Sequence, residues 1–406
     1  MGTPGHAGAV PTPSYLAISR SGRSGESCPA VLNWQCQGPD LGYWMEPWAA
    51  HLPRAAALRA ARRRRLADLG ERKGAVERAL GAYQGMDRGQ TPVIGLRAGS
   101  VRLPSPRPAL PDPDDEPEQD PARRARSRLA RDLATRPPVT RLVHRKSNAL
   151  PLFLTAIYVA HLEGTPGQAF SNGHRNATKM TGTESWATLA GLHASGNSGP
   201  RNRRVRVTRA LAQLEAAGLV ETGREHQRDR FEFFRLNRED GSQRQYTIPG
   251  ADAPGTVHLP AAFFLNGWHL ALEPTEIAVL LAIIDLGQRL GTGPRPDREQ
   301  SGVALPMSVR WQTYGISGEV YEAAHELAEF SVIELNDPMP GRRRGKFRPF
   351  TEKQQDIALS HGHWPGPVPY RFIYDGGTIF ARRAADVITA ALRRNPDPPR
   401  LASHRR

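Results

Sequence analysis

The stretch that decides the fold is RNRRVRVTRALAQLEAAGLVE, residues 201–221. An α-helix turns by about 100° per residue, so Val207, Leu211 and Leu214 share one face, with Ala210 beside them. Such an apolar face predicts packing against a protein core. The Gly-Leu-Val sequence that follows indicates the end of the helix and the start of a strand.

The opposite face of the predicted helix is basic. It carries Arg201, Asn202, Val205, Arg206 and Arg209, with Thr208 at its edge. The N-terminal half of a recognition helix enters the major groove of DNA. There arginine binds guanine, asparagine binds adenine and an apolar side chain contacts a thymine methyl group. Arg203 and Arg204 fall nearer the core side, so we expect them to contact phosphates. The face therefore predicts contacts with duplex DNA.

A hairpin is predicted directly after the helix. Gly218-Leu219-Val220-Glu221 begins one strand, and residues 231–236 form its return. The tip between the strands is polar and basic. Its side chains expected to contact DNA are Arg224, Arg228 and Arg230. We expect the hairpin to lie along the DNA backbone or to enter the minor groove.

The same order of elements occurs twice along the chain. In the first copy, helices at residues 150–162, 186–193 and 201–217 precede the hairpin. In the second copy, helices at residues 273–290, 307–314 and 318–330 precede a strand at residues 331–334. The copies align where the third helix meets the strand, Leu214, Val220 and Glu221 matching Leu327, Ile333 and Glu334. The repeat predicts two domains of one architecture.

The third helix of the second copy differs from the first in charge. Its predicted core face is Val320, Ala324 and Leu327, and its outward face carries Glu319, Glu322, Glu326 and Glu329. Because carboxylates repel phosphates, this helix is a poor candidate for a DNA groove. The hairpin after it is expected to present Arg342, Arg343 and Arg344. The second copy is therefore expected to contact only the DNA backbone, to mediate dimerisation or to serve as scaffold.

Three stretches carry a resemblance to a known superfamily. They are Leu211-Ala-Gln-Leu214-Glu-Ala-Ala-Gly218-Leu219-Val220, Gly315-Ile316-Ser317 and residues 327–333. Together they resemble the winged helix-turn-helix superfamily, in particular MarR-like regulators and, as tandem copies, plasmid replication initiators. The resemblance covers about half of the chain. It implies an α+β fold with two winged helix-turn-helix domains that bind DNA.

The two copies set the expected domain boundaries. We expect a mostly disordered basic arm with short helices at residues 1–146, then a DNA-contacting winged-helix domain at 147–250, a second winged-helix domain at 256–394 and a basic tail at 395–406. Within the arm, residues 53–83 carry an apolar stripe that begins beside four arginines, Arg62 to Arg65. We interpret them as a marginal helix with a solvated charged face. The alternative is a basic helix that contacts DNA or a partner helix.

The composition limits the possible partners and compartments. The 406 residues include 55 Lys and Arg against 40 Asp and Glu, a net charge of +15, which attracts polyanions. No apolar run approaches the roughly 18 residues of a membrane span, and the N-terminus lacks a signal pattern, so we expect a cytoplasmic protein. Cys28 and Cys36 do not make a disulfide framework or a four-ligand zinc site. Met1, Met45 and Met86 all remain candidate start sites.

Two motifs that resemble catalytic sequences do not fit their chemistry. Residues 341–346 place three residues between glycines where a phosphate loop has four, and Phe347 stands where a hydroxyl binds magnesium. His361-Gly362-His363 with Tyr370 resembles the metal pair and nucleophilic tyrosine of rolling-circle nickases. Glycine replaces the hydrophobic residue of that motif, and no acidic cluster stands nearby. We therefore expect no catalytic residue, no metal and no cofactor.

These observations predict a non-enzymatic protein that binds specific sequences of double-stranded DNA as a transcriptional regulator. A second copy of the chain is a candidate partner. One alternative is an initiator of plasmid or mobile-element replication that binds origin repeats. Another is a DNA-nicking enzyme that uses His361 and His363. Binding at a promoter, binding at origin repeats and metal-dependent cleavage distinguish the three.

Overall fold

Helices dominate the fold, and short antiparallel strands complete it. A computed structural model of the chain describes residues 51–89, 91–107, 132–143, 148–170, 185–192, 199–227, 230–250, 253–290, 302–337 and 369–394. The chain divides into two units, Met1–Ala55 and Ala56–Arg406, and the first unit is described only where helix α1 begins. The combination of helices with small antiparallel sheets confirms the expected α+β class.

Helix α1, His51–Met86, opens the described part of the chain. It is rich in alanine, arginine and leucine, which are strong helix formers. Its stripe Leu69, Val76, Leu80 and Tyr83 is buried in the core. A helix was expected here, but the interpretation of these residues as part of a mostly disordered arm is wrong. Each fully buried apolar side chain of this size contributes about 1.5–3 kcal/mol, which holds the helix against the protein.

Strand β1, Val93–Arg97, also belongs to the core structure rather than to an arm. It pairs antiparallel with β4, Thr256–Pro260, with Gly95 opposite His258. Ile94 and Leu96 point inward and are buried. Helix α2, Pro138–Val143, follows and is almost entirely buried. The sequence did not predict β1 because its partner lies about 160 residues further along the chain, beyond the range of local pattern.

The first copy has the predicted order of elements. The elements are α3 (Ala149–Glu163), α4 (Trp186–Leu189), α5 (Gly199–Ala216), β2 (Val220–Glu221) and β3 (Arg235–Leu236). Strands β2 and β3 pair antiparallel, with Val220 opposite Leu236. Helix α4 is shorter than predicted, because the chain turns at Gly191 with a φ of 58°. The returning strand is also shorter, since residues 231–234 form turns before β3.

The second half of the chain repeats this order with additional strands. After β4 come α6 (Ala261–Leu265), α7 (Trp268–Ala271), α8 (Pro274–Leu290), β5 (Val303–Ala304), a π-helical turn (Val309–Thr313), α9 (Gly318–Tyr321), α10 (Ala323–Glu329), β6 (Glu334–Asn336), β7 (Arg371–Ile373) and α11 (Ala384–Arg393). The sheet has the order β5-β7-β6. The predicted third helix is divided into α9 and α10, and the sequence did not predict β5, β7 or α11.

One continuous core joins these elements. Its buried side chains come from α1, from both copies and from the segment between the copies. Trp186 of the first copy and Trp268 between the copies are both fully buried. The ion pair between Arg97 of β1 and the buried Glu239, at 2.7 Å, adds a charged link. The copies are therefore packed within one unit, while the boundaries at residues 250 and 256 stay predictions.

Candidate nucleic-acid interface

The rotation of helix α5 is fixed by its core face. Val207, Ala210 and Leu211 are fully buried, and Leu214 is 1% exposed. This face packs against α3 and α4. The predicted core face is confirmed, and its burial determines which side chains of α5 point away from the protein.

The outward face of α5 is as basic as the sequence predicted. The exposed residues between positions 201 and 209 are Arg201, Asn202, Arg204, Val205, Arg206 and Arg209, and Thr208 is half-buried beside them. No acidic residue in the described ranges forms an ion pair with any of these arginines. At about 3.6 residues per turn, Arg201, Val205 and Arg209 lie along the line directly opposite the core. We call the exposed residues named above, together with Thr208, the basic face of α5.

Val205 is the apolar centre of the basic face. It is 47% exposed, and it lies with Thr208 and Ala212 between Arg204 and Arg209. These five residues line an open, shallow depression of about 310 Å³. Its floor is small and apolar and its rim is cationic, which suits a methyl group on a polyanion.

Arg203 is more buried than the other arginines of α5. Its side chain is half-buried, and its Nε atom is shielded from solvent with no hydrogen-bond partner in the described ranges. Burial, and then the nearby charge of Arg78, lowers the pKa of Arg203. The expectation that Arg203 falls toward the core side is confirmed, whereas Arg204 is fully on the solvent side.

The hairpin contributes fewer free cations than predicted. Arg224 is exposed near its tip, and Arg228 lies outside the described residues. Arg230 instead forms an ion pair with Glu215 at the end of α5, at 2.6 Å, and its Nε donates to the Thr222 hydroxyl at 3.2 Å. Arg230 therefore joins the hairpin to the helix, and its predicted contact with DNA stays a prediction.

The pKa of Glu215 reflects its interactions with Arg230 and Thr222. Burial alone would raise it, but hydrogen bonds from Thr222 and Arg230 lower the pKa below its ordinary value. Both side chains of the ion pair are 27% exposed, so solvent screens the interaction. A second ion pair, between Arg235 and Glu221, links the two strands of the hairpin.

The third helix of the second copy presents a different surface. Val320, Ala324 and Leu327 are buried, which confirms the predicted core face. Glu319 is exposed, but three carboxylates are only half-exposed: Glu322, Glu326 and Glu329. The four carboxylates keep access to solvent, but Arg62 and Arg65 of α1 lie near Glu329 and Glu326, so this face is only partly open.

The covering contacts come from the arginine run of α1. Arg62 is buried and pairs with Glu329. Arg65 donates to both carboxylate oxygens of the buried Glu276, at 2.5 and 2.7 Å, and is also within electrostatic reach of Glu326. Burial, offset in part by Arg65, raises the pKa of Glu276.

The sequence contains a signal for these contacts. Arg62, Arg65 and Arg72 occur at helical spacing with Leu69 and Val76, on the same face as the apolar stripe. Arg72 donates to the Leu270 carbonyl at 2.9 Å. Arginines within an apolar stripe indicate cations that are turned toward the protein, where they need partners.

Several predicted sites fall outside the described residues. These are Arg228 of the first hairpin, Arg342, Arg343 and Arg344 of the second, and the pair His361 and His363. Tyr370 is described, and its ring packs edge-on against His325 with centroids 5.4 Å apart. Within the described ranges, no group of three His, Cys, Asp or Glu residues could hold a metal ion.

Comparison of the chain with family models, with curated proteins and with solved structures finds no match. In the part of the chain that the structure describes, no helix combines the length and the apolar character needed to cross a membrane.

Proposed function

We propose that the chain binds double-stranded DNA by placing α5 in the major groove, and that both copies are winged helix-turn-helix domains. One observation carries the proposal. The basic face of α5 is exposed, lies opposite a fully buried face, and has no acidic partner in the described ranges. Such a surface matches the duplex, which carries one negative charge per about 1.7 Å of its axis.

The arrangement around α5 supports this use of the helix. A helix-turn-helix protein contacts base edges with the N-terminal half of its recognition helix. Arg201, Asn202, Val205 and Arg206 lie in that half of α5 and Arg209 lies just beyond it, whereas the acid Glu215 lies near the C-terminal end and pairs with Arg230. The ion pair between Arg230 and Glu215 joins the hairpin β2–β3 to α5, so the hairpin with its exposed Arg224 is held beside this helix.

The order of elements supports the winged-helix assignment. In the first copy three helices precede the antiparallel pair β2–β3, and in the second copy α8, the π-helical turn and the divided helix α9–α10 precede the antiparallel pair β6–β7. In the second copy, β5 stands between the first and second helices and pairs with the last strand, β7. In the described ranges the third helix of the second copy presents carboxylates that face the arginines of α1, so we assign DNA recognition to the first copy alone.

The biological role that fits best is transcriptional regulation, with replication initiation as the alternative. Both need sequence-specific duplex binding without catalysis. Selection of bound fragments from the source genome distinguishes them. Single sites that overlap promoters support a regulator, and clustered direct repeats at a replication origin support an initiator.

Binding itself is tested with the full chain and labelled duplexes. We expect tighter binding to a selected duplex than to a random one of the same length. Replacing Arg206 and Arg209 with Glu should weaken binding to the selected duplex by more than 100-fold. The matched control replaces Arg63 and Arg64 with Glu, which makes the same change in net charge on exposed positions of α1. An equal loss in both variants, with both folded by circular dichroism, would refute recognition by α5.

A further inference from the structure

An apolar side chain occupies the most prominent position of the basic face. In the described ranges few large apolar side chains are exposed, and Val205, at 47%, is the one that belongs to α5. It lies directly opposite the buried Leu214, on the side of the helix that enters a groove most deeply. Valine also has a lower helix propensity than the arginines beside it. Neither core packing nor helix formation therefore accounts for a valine at this position.

The residues around Val205 form a shallow site with an apolar part and a cationic part. Because they are spaced three and four positions apart, they are neighbours on the helix surface. Val205, Thr208 and Ala212 all carry methyl groups, and Arg204 and Arg209 complete the lining of the depression. Small side chains of this kind contact the 5-methyl group of a pyrimidine in the major groove. The two arginines favour a methyl group that belongs to a polyanion.

The polar groups of the depression do not distinguish the two pyrimidines that carry this methyl group. Thymine and 5-methylcytosine present it at the same place in the groove and differ at position 4, where thymine has a carbonyl and cytosine an amino group. The Thr208 hydroxyl can donate to the carbonyl or accept from the amino group. Among the described residues that line the depression, none is a carboxylate that would select the amino group. The methyl group is therefore the feature that this site can recognise.

We propose that the depression binds the 5-methyl group of thymine or of 5-methylcytosine alike, while Arg209 binds a guanine in the adjacent base pair. The inference rests on the proposed function and names the class of DNA that the site takes. Arg209 follows Val205 by about one helical turn, or about 6 Å along the axis, which brings its long side chain to the neighbouring base pair. Methylation of a cytosine at this position strengthens binding, so the chain distinguishes methylated from unmethylated DNA.

The first test isolates the methyl group. Four duplexes differ at the position where replacing thymine by uracil weakens binding most: they carry thymine or uracil opposite adenine, and 5-methylcytosine or cytosine opposite guanine. The full chain should bind each methylated duplex about fourfold more tightly than its unmethylated counterpart. Val205→Ala should bring both ratios close to one. The matched control is Val93→Ala, which shortens a valine of β1 that is 40% exposed and should keep both ratios.

The second test locates the guanine. Each guanine beside the methylated position, on either strand, is replaced by 7-deazaguanine, which lacks the N7 acceptor. One replacement should weaken binding of the unchanged protein and of Val205→Ala, but have no further effect on Arg209→Gln. Arg64→Gln removes an exposed arginine of α1 and should stay as sensitive as the unchanged protein.

The outcomes separate this inference from the proposed function. If the selected duplex is bound but 5-methylcytosine and cytosine bind equally, the site does not recognise the methyl group by itself, and the inference fails while recognition by α5 stands. If Val205→Ala keeps both ratios, or Arg209→Gln stays sensitive to every 7-deazaguanine, the assigned contacts are refuted in the same way. If the protein binds no duplex, the inference and the proposed function are both refuted.

Discussion

Helices α5 and α10 occupy equivalent places in the two copies but present opposite surfaces. In α5 the arginines of the basic face are exposed and have no acidic partner in the described ranges. In α10 the carboxylates of Glu326 and Glu329 face the arginines of α1. The comparison shows that one architecture yields a surface open to an external anion and a surface closed by the protein's own cations.

Helix α1 causes the difference. Its early arginines, Arg62 and Arg65, turn inward to the acidic helix and to Glu276. Its later arginine, Arg78, is exposed. The same helix therefore offsets the acidic charge of the second copy, while the basic face of the first copy stays exposed.

The largest expected effect on stability comes from removing an arginine of α1 that pairs with a carboxylate of the second half of the chain. Arg65→Met leaves the buried Glu276 without its partner and should reduce the free energy of unfolding by about 3–5 kcal/mol, measured by urea titration. The pKa of Glu276 is already raised and should rise further. A raised folded-state pKa gives stability at low pH that is lost as the pH increases. The variant should therefore be more destabilised at pH 8 than at pH 5.

Arg64→Met provides the control for this measurement, because Arg64 is exposed on the same helix. We expect it to change the free energy of unfolding by less than about 0.5 kcal/mol. Equal stability of Arg65→Met and Arg64→Met would contradict the closed surface.

The next effect concerns the open surface. Arg206→Ala and Arg209→Ala should each cost about 1–3 kcal/mol of binding to the selected duplex and much less on random DNA, because a bidentate base contact is lost. The corresponding change in the second copy, Glu319→Ala with Glu322→Ala, should leave the preferred sequence unaltered. Selection of binding sites with each variant measures this. A new preferred sequence for the glutamate variant would reverse the assignment of the two helices.

A smaller effect is expected at the apolar centre of the basic face. If Val205 contacts a thymine methyl group, replacing that thymine by uracil should cost about 0.8 kcal/mol, or about fourfold in Kd. Val205→Ala should bind both duplexes equally. Replacing each thymine of the selected duplex by uracil in turn identifies the base that Val205 contacts. Sensitivity of Val205→Ala to the same replacement would argue against the contact.

The smallest effect concerns the fastening of the hairpin. Glu215→Gln weakens the ion pair with Arg230, and because both side chains are partly exposed, the loss of stability at pH 7 should stay below about 1 kcal/mol. The pKa of Glu215 is lowered by folding. Its contribution is therefore present above the ordinary pKa of a glutamate and disappears as the pH falls through the lower folded value. Thermal unfolding should show a larger difference between Glu215→Gln and the unchanged protein at pH 7 than at pH 3.

Local pattern was sufficient for the elements that form from neighbouring residues. The helical spacing of Val207, Leu211 and Leu214 predicted the buried face of α5, and the same reasoning succeeded for Val320 and Leu327. The exposure of the basic face followed from these assignments, because the turn of a helix fixes every side chain once one face is known.

Long-range contacts could not be predicted in this way. Strand β1 needs β4, and the direction of Arg62 depends on Glu329, which lies in the other copy. The four consecutive arginines, Arg62 to Arg65, predicted a solvated helix face, whereas tertiary contacts turn Arg62 and Arg65 toward the protein. Arg230 was assigned to DNA because its type fits a phosphate, but its position beside Glu215 is fixed only by the folded hairpin.

The burial of α1 has a practical consequence for dividing the chain. A fragment that begins at residue 147 lacks Tyr83, Leu80 and Ile94, so it exposes the apolar surfaces of the core that these side chains cover. We expect such a fragment to be poorly soluble, although it keeps all of α5. The smallest segment suitable for expression therefore begins at or before the start of α1, and the two copies are best produced together.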